Sequence, residues 1–313
     1  MIRVGTRGSK LALAQSQMVA DEIERVSGEK TELVEIKTTG DGTTVPVAQL
    51  GVGVFVNQLR DALENGSIDI AVHSYKDLPT QQPEHLVIAV PPRADARDVL
   101  IASQGRTLAE LGPGARIGTG SPRRISQLLA LGRDFECVPI RGNIDTRIGR
   151  VGDDLDAVVI AAAGLKRVSR EQEITEYLDP LVMLPAPAQG ALAVECRKAD
   201  KTSARISSML NDRYSQAAVA AERGLLARLE AGCSAPVAAL ADVSEGSAPG
   251  EIDLYLRGAA FAVDGTVTER LSTTATLRDA EAGDLAAQAA EVGKALAEDL
   301  LAGGAEQLLK SEL

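Results

Sequence analysis

The chain of 313 residues has no tryptophan, three phenylalanines and four tyrosines. So few rings leave no aromatic platform on which single-stranded nucleic acid would stack. Two histidines argue against a histidine-based metal site and against a Ser-His-Asp relay. Three cysteines, an odd number at wide spacing, argue against a disulfide framework and against zinc. No apolar run reaches the length of a membrane span. The N-terminus, Met-Ile-Arg-Val-Gly-Thr-Arg-Gly, reads as a first strand and lacks the apolar centre of a signal peptide. The expected location is therefore cytoplasmic, with neither membrane nor nucleic acid as partner.

The net charge of −11 is unevenly spread. From Glu230 to the end there are 15 acidic and 5 basic residues, a solvated and solubilising surface. Residues 1–229 are nearly neutral, with 29 acidic and 28 basic. Residues 116–170 are locally positive, with 10 basic and 6 acidic. A polyanion such as DNA is a poor match for the whole molecule. A small polycarboxylate suits one local basic cleft better.

The first half alternates short apolar runs with amphipathic stretches. Strands are expected at 2–4, 33–37 and 68–73, and helices at about 9–26 and 55–65. In the first helix Ser9 is the cap, and Leu11, Ala14, Met18, Val19, Ile23 and Val26 share a face. The pattern restarts near Val99, with strands at 117–118, 137–140 and 157–161. Proline-bearing crossovers at 91–95 and 184–190 suggest a chain that leaves one lobe, builds another and returns through a strand at 191–196. A helix at 215–231, capped by Gly232, leads into alternating segments at 252–263 and 266–276 around Asp264-Gly265, a hairpin signal. A helix at 284–301 closes the chain. This order predicts two α/β lobes with largely parallel sheets and a small C-terminal α+β domain.

Arg123 and Arg124 are the sharpest local feature. Residues 116–132 read as a strand, a tight turn and a helix, with Ser121 as N-cap, Pro122 at the first helical position and Gly132 as the stop. Both arginines then face the positive end of the helix dipole, which is locally unfavourable. With no compensation visible in the sequence, this reads as a carboxylate or phosphate site.

Further polar clusters follow other strands: Thr6-Arg-Gly-Ser9, His73-Ser-Tyr-Lys-Asp77, Thr119 to Arg124, and Arg141-Gly-Asn-Ile-Asp-Thr-Arg147, with Lys166-Arg167 after the strand at 157–161. Ligands of open α/β sheets sit beyond such strand ends. Alone, Asp77 is a turn residue or half of a Lys–Asp pair. In a cationic cleft its carboxylate suits proton delivery to an amine leaving group, or charge stabilisation of a carbocation. Ser9, Ser74, Thr119 and Ser121 read as caps first and ligand donors second, and His73 as a satisfied buried histidine. Gly5-Thr-Arg-Gly-Ser-Lys10 lacks the spacing of a phosphate loop. Cys137 and Cys196 fall in apolar strands and read as core. Cys233 follows a helix end on a loop, where a thiol near positive charge becomes nucleophilic. The residues alone leave three readings: an enzyme acting on a polycarboxylate, a non-catalytic cytoplasmic module that binds an organic polyanion, and an acyl-transfer enzyme using Cys233, which lacks an evident base.

Taken in order, these clusters resemble the porphobilinogen deaminase family nearly end to end. The marks are Thr6-Arg-Gly-Ser9 with Leu11-Ala-Leu13, His73-Ser-Tyr-Lys-Asp-Leu-Pro79, Gly118-Thr-Gly-Ser-Pro-Arg-Arg124, Arg141-Gly-Asn143 with Thr146-Arg147, Ala163-Gly-Leu-Lys-Arg167, Leu184-Pro-Ala-Pro-Ala-Gln-Gly190, and Glu222-Arg-Gly-Leu225 with Gly232-Cys-Ser-Ala-Pro236. The resemblance implies two lobes like those of type II periplasmic binding proteins, with mixed, mostly parallel sheets. Lobe one would be 1–92 plus 190–212, lobe two 96–185, and the C-terminal α+β domain 215–313. It implies head-to-tail joining of four porphobilinogen molecules into hydroxymethylbilane, with loss of ammonia. Porphobilinogen and linear pyrrole intermediates would be the partners of a monomer.

The resemblance also implies a dipyrromethane cofactor held by a thioether at Cys233, and Asp77 as the catalytic carboxylate. Lys76, Ser74, Thr119, Ser121, Arg123, Arg124, Arg141 and Gly142 would contact the cofactor. Arg7, Ser9, Arg147, Arg167, Phe55 and Gln189 would contact substrate. No metal is implied. Two departures stand out: Val52 replaces a basic residue in the Gly51-Val-Gly-Val-Phe55 loop, and Gly120 replaces a frequent serine. One acid can serve every addition if the growing chain moves past it, so hinge motion is expected at 91–95 and 184–190. Hydrogen exchange at these segments should differ between elongation intermediates; identical exchange would refute the motion.

Overall fold

In this computed structural model the described residues are 1–36, 54–230, 235–279 and 285–310, with backbone alone described at 54, 55 and 310. The chain divides into two compact units, Met1–Arg93 with Ala191–Gln216, and Ala94–Gly190 with Ala217–Leu313.

The first unit is built on β1 (Ile2–Thr6), β2 (Thr31–Glu35), β3 (Ile70–Ser74), β4 (Leu86–Ala89) and β10 (Leu192–Arg197), in the order β2-β1-β3-β10-β4. β1 runs parallel to β2 and β3, whereas β10 is antiparallel to both its neighbours. Helices α1 (Lys10–Ser27), α2 (Val54–Glu64) and α6 (Lys201–Leu210) belong to it. α1 starts where Ser9 Oγ accepts from the Ala12 N–H at 3.3 Å, and ends at Gly28, whose φ of 72° only glycine adopts readily. Its buried stripe is Gln15, Ser16, Val19, Ala20 and Ile23, so Met18 lies off that stripe and is 52% exposed, against the expected face. Gln15 is buried because its amide donates to Ser74 Oγ at 2.9 Å. One core contains Ile2, Val4, Val19, Ile23, Ile70, Val194 and Ile206. A second contains Leu59, Leu63, Ile68 and Ala71. Burial of each such Leu or Ile contributes about 1.5–3 kcal/mol.

The second unit holds two sheets. The larger joins β5 (Asp98–Ala102), β6 (Arg116–Gly118), β7 (Glu136–Val138), β8 (Ala157–Ala161) and β9 (Glu176–Tyr177) in the order β7-β6-β8-β5-β9. β6 is parallel to β7 and β8, and β5 is the reversed strand. α3 (Pro122–Leu129), α4 (Ile144–Ile148) and α5 (Ala162–Arg167) connect these strands. The smaller sheet is antiparallel, β11 (Val237–Glu245), β12 (Glu251–Phe261) and β13 (Thr268–Arg278), covered by α8 (Leu285–Ala302) and followed by α9 (Ala305–Lys310). The β12–β13 turn uses Asp264 to accept the Thr266 N–H at 3.0 Å, with Gly265 at φ 74°.

The α/β class, with mixed, mostly parallel sheets and a C-terminal α+β portion, is the one expected from the sequence. The differences are local. β7 stops at Val138, short of the expected 140, and the helix expected to reach 231 is α7 (Arg213–Arg228). Glu230 already has a φ of 51°, and the expected cap Gly232 lies outside the described residues. Strands β4, β9 and β11 and helix α6 have no counterpart in the pattern reading.

α7 and α8 cross closely at glycines. A Cβ on Gly293 would collide with the Ala221 carbonyl oxygen, and one on Gly224 with the Ala290 carbonyl oxygen. Gly293→Val gains a few tenths of a kcal/mol, about what helix propensity offers. It overpacks the crossing at a cost of about 1–3 kcal/mol. The net expectation is a lower urea midpoint at unchanged slope. An unchanged or higher midpoint would contradict the close crossing.

Candidate active site

In the first unit the expected residues gather at the ends of β1 and β3. Arg7 and Ser9 follow β1, half-buried, and Ser9 caps α1. Ser74 ends β3 and holds Gln15 rather than capping the next turn. That turn is a single 3-10 segment, Tyr75–Asp77, anchored by the Tyr75 N–H on the Ala191 carbonyl at 3.1 Å and closed by the Leu78 N–H on Tyr75 at 3.2 Å. Leu78 is fully buried against Val56 and Ala193. Asp77 is exposed on this turn beside half-buried Lys76. An exposed carboxylate on this hydrogen-bonded turn is open to a reacting group. His73 is 7% exposed, with Nε2 at 3.4 Å from Glu195 Oε2.

In the second unit α3 starts as expected with Pro122 in its first turn, but Ser121 makes no side-chain cap. Thr119, fully buried, accepts instead from the Ser121 N–H at 3.4 Å. The two arginines correct the sequence reading more strongly. They are 3% and 5% exposed, and an internal anion compensates them: Asp98, at the start of β5 and fully buried. Arg123 Nη2 donates to Asp98 Oδ2 at 2.7 Å, and Nη1 to the Leu184 carbonyl at 2.6 Å. Arg124 donates Nε and Nη2 to Asp98 Oδ1 at 3.1 and 2.7 Å, and Nη1 to the Val159 carbonyl at 2.9 Å. Burial pulls the Arg123 pKa below its ordinary value, and the positive charge of Arg124 adds to this against the pull of Asp98. Its Nε is buried without a partner. Gln189, expected to contact substrate, is 1% exposed and turns its amide onto the Ala96 carbonyl and Asp98 Oδ1, at 2.8 and 2.9 Å.

The remaining cations form a different group. Arg141 is exposed, and Gly142 beside it has a φ of 97°. Asn143 caps α4 by accepting from the Thr146 N–H at 2.8 Å. Arg147 donates Nε to the Gly142 carbonyl at 2.9 Å. Burial lowers the Arg147 pKa, and repulsion from Arg124 and Arg141 lowers it further, so the α3 arginine and the 141–147 cluster share one positive field. Arg167, at the end of α5, donates Nη2 to the Gly190 carbonyl at 2.6 Å; burial pulls its pKa to about 10, and its Nε has no partner. Among the described residues no carboxylate pairs with Arg141, Arg147 or Arg167. Gly120 runs so close to Ile140 that a Cβ would lie 2.7 Å from its carbonyl oxygen. A serine there would need the strand end to shift.

Cys233, Val52 and the side chain of Phe55 lie outside the described residues. Burial pushes the half-buried Cys137 thiol up to about 11, and raises the Cys196 thiol, which packs 3.6 Å from Ser207 Oγ. The residues that pattern reading missed are Asp98, Glu195 and Arg60. The available signal was an acid inside an apolar strand, which must find a partner when buried.

The whole chain resembles known proteins. A family model described as "Porphobilinogen deaminase, dipyromethane cofactor binding domain" matches residues 2–205, and "Porphobilinogen deaminase, C-terminal domain" matches 216–302. A porphobilinogen deaminase of Nocardia farcinica is 52% identical, over 98% of this chain and 88% of its own length. Porphobilinogen deaminase 1 of Streptomyces coelicolor is 51% identical, over 98% of this chain and 97% of its own. Among solved structures, a periplasmic substrate-binding protein of a Coxiella burnetii ABC transporter overlaps 67% of this chain and 91% of its own, at 13% identity and a TM-score of 0.42.

Removing Asp98 isolates two buried guanidiniums at once. Asp98→Ala should cost about 3–5 kcal/mol of folding stability, the range for breaking a buried pair. Urea denaturation reads this directly. A loss below about 1 kcal/mol, the worth of an exposed pair, would show that the arginines have other adequate partners.

Proposed function

The chain belongs to the porphobilinogen deaminase family, and on that premise we propose that Asp77 acts on porphobilinogen while arginines hold the pyrrole carboxylates. The activity is a transferase reaction of tetrapyrrole biosynthesis, in which four porphobilinogen molecules are joined head to tail with loss of ammonia. The covalent dipyrromethane supplies the fixed pyrrole terminus that primes the chain. The observation that carries this reading is the match to both family models along nearly the whole length. It does not favour a module that only binds.

The residues suit a polycarboxylate group. Each pyrrole brings two carboxylates, and Arg141, Arg147 and Arg167 have none of their own among the described residues. The unpartnered Nε atoms of Arg123 and Arg167 are further donors. Charge-assisted bonds of this kind are roughly twice as strong as neutral ones. Arg123, Arg124, Arg141, Lys76, Ser74, Thr119, Ser121 and Gly142 would face the cofactor, and Arg7, Ser9, Arg147, Arg167 and Phe55 the incoming substrate. Gln189 acts through Asp98 in this reading. Cys233 is the attachment point. The other two thiols are held protonated by burial and are poor nucleophiles.

Asp77 assists departure of the substrate amine and opposes the charge of the resulting methylenepyrrolenine cation. After carbon–carbon coupling it helps remove the ring proton. Lys76 holds a neighbouring carboxylate. The product is hydroxymethylbilane. The protein works as a cytoplasmic monomer, and no helix among the described residues is long and apolar enough to cross a membrane. Residues 1–92 with 190–212, 96–185 and 215–313 are its three domains.

Intact-mass measurement tests the assignment. The purified protein should exceed its polypeptide mass by a dipyrromethane, and Cys233→Ala should remove the excess. Asp77→Ala should keep it and lose turnover by about 10²–10⁴-fold, the worth of a positioned acid or base. A bare polypeptide, or full turnover without the Asp77 carboxylate, would overturn the reading.

A further inference from the structure

Arg60 lies on α2, outside every motif that suggested function, and is 9% exposed. Its guanidinium serves two partners, Gln82, which follows the Asp77 turn in the chain, and Glu195 on β10, the strand paired with β3. Nε donates to Glu195 Oε1 and Oε2 at 3.2 and 3.1 Å, and Nη2 to Oε1 at 2.8 Å. Nη2 also donates to Gln82 Oε1 at 2.6 Å. The Gln82 amide donates in turn to the Pro79 carbonyl at 2.5 Å. On the other side Glu195, fully buried in β10, faces His73 at 3.4 Å. Burial opposes ionisation of Glu195, yet contact with His73 and Arg60 holds its carboxyl below the usual range. A hydrogen-bonded chain Pro79–Gln82–Arg60–Glu195 therefore ties the residue two places after Asp77 to β10, where Glu195 lies 3.4 Å from Nε2 of His73, the strand residue four places before Asp77.

We propose that Arg60 is a positioning residue for turnover, fixing both flanks of the Asp77 turn through Glu195 and Gln82. The proposal rests on the assignment of Asp77 as the catalytic carboxylate. The turn itself is one short helical loop, and apolar packing of Leu78 secures its depth without setting its direction. Hydrophobic contact is non-directional, whereas a guanidinium fork on a carboxylate fixes angle as well as distance. A lysine would keep the charge but present a point donor in place of the fork. A carboxylate displaced by about 1 Å from its working position costs on the order of 10²-fold in rate.

The test uses the loaded, full-length protein. Arg60→Lys and Gln82→Leu are compared with the parent for cofactor content by intact mass, for thermal midpoint, and for kcat and KM toward porphobilinogen. Gln82→Leu leaves the Arg60–Glu195 pair in place, so it remains informative if Arg60→Lys does not fold. Both should carry the full cofactor mass and lose about tenfold to a hundredfold in kcat, with KM within about threefold. The double variant should fall less than the product of the single losses, because both act through one chain of contacts. Full kcat in Gln82→Leu, or a lowered thermal midpoint with kcat unchanged, would overturn the proposal and leave Arg60 as structural. Asp77→Asn, measured alongside, separates the two claims. If it turns over normally, the Asp77 assignment fails; if it is inactive while Gln82→Leu is unaffected, only the positioning role fails.

Discussion

The Asp98 carboxylate is the contact on which the second unit depends. Arg123 and Arg124 repel each other and sit at the positive end of α3. A single buried ion without a partner costs several kcal/mol. One carboxylate, shared by both forks, makes their burial tolerable but neutralises only one of the two charges. Carbonyl oxygens of Leu184 and Val159 accept further N–H groups without cancelling charge. The local balance therefore stays positive after every internal contact is made. Gln189 adds its amide to the same carboxylate, and Leu184 exchanges bonds with the Gln127 side chain at 2.8 and 3.0 Å. The cations and the 184–190 backbone thus share one anchor.

The first unit solves a related problem with the same chemistry. Both five-stranded sheets reverse their fourth strand, and both place a fully buried acid on it, Glu195 in β10 and Asp98 in β5. In each case the partner arginine comes from a helix, α2 or α3. Apolar faces hold those helices on their sheets, but a greasy contact tolerates sliding. A forked ion pair does not. The directional contact fixes which helical turn stands above which strand residue, and so where the following loop begins.

Much of the fold was legible because period and punctuation agree along the chain. Ser9 and Gly28 bracket α1 as capping chemistry requires, and Asp264-Gly265 turns the hairpin where the alternating pattern says it must. The strand at 157–161 is wholly buried and reads as an unbroken apolar run. What failed to show were elements whose pattern is weak or mixed. β9 has two residues, and β4 is partly exposed. Met18 misled because a hydrophobic face drawn from composition ignored Gln15, whose burial depends on a hydrogen bond to Ser74 made only in three dimensions. At the site, the arginines were visible as residue types, but their partners were not. Asp98 lies 25 residues from Arg123, and Glu195 lies 135 from Arg60. No local spacing rule reaches that far.

The structure sorts the arginines by what they still lack. Arg123 and Arg124 are committed to an internal carboxylate and keep little donor capacity beyond the Arg123 Nε. Arg147 and Arg167 are bonded to backbone carbonyls, and burial lowers the pKa of both, with repulsion from Arg124 and Arg141 adding to it at Arg147. A pKa of about 10 still leaves Arg167 cationic at neutral pH. The desolvation that usually erodes the strength of an ion pair has therefore been met during folding, before any anion arrives. A carboxylate approaching such a group meets a donor held in a medium of low polarity, where each Coulombic contact is worth several times its value in water. Under the proposed function, an oligomer that gains two negative charges per added pyrrole would draw on this second class of arginine, while the first class is bound into the scaffold through Asp98.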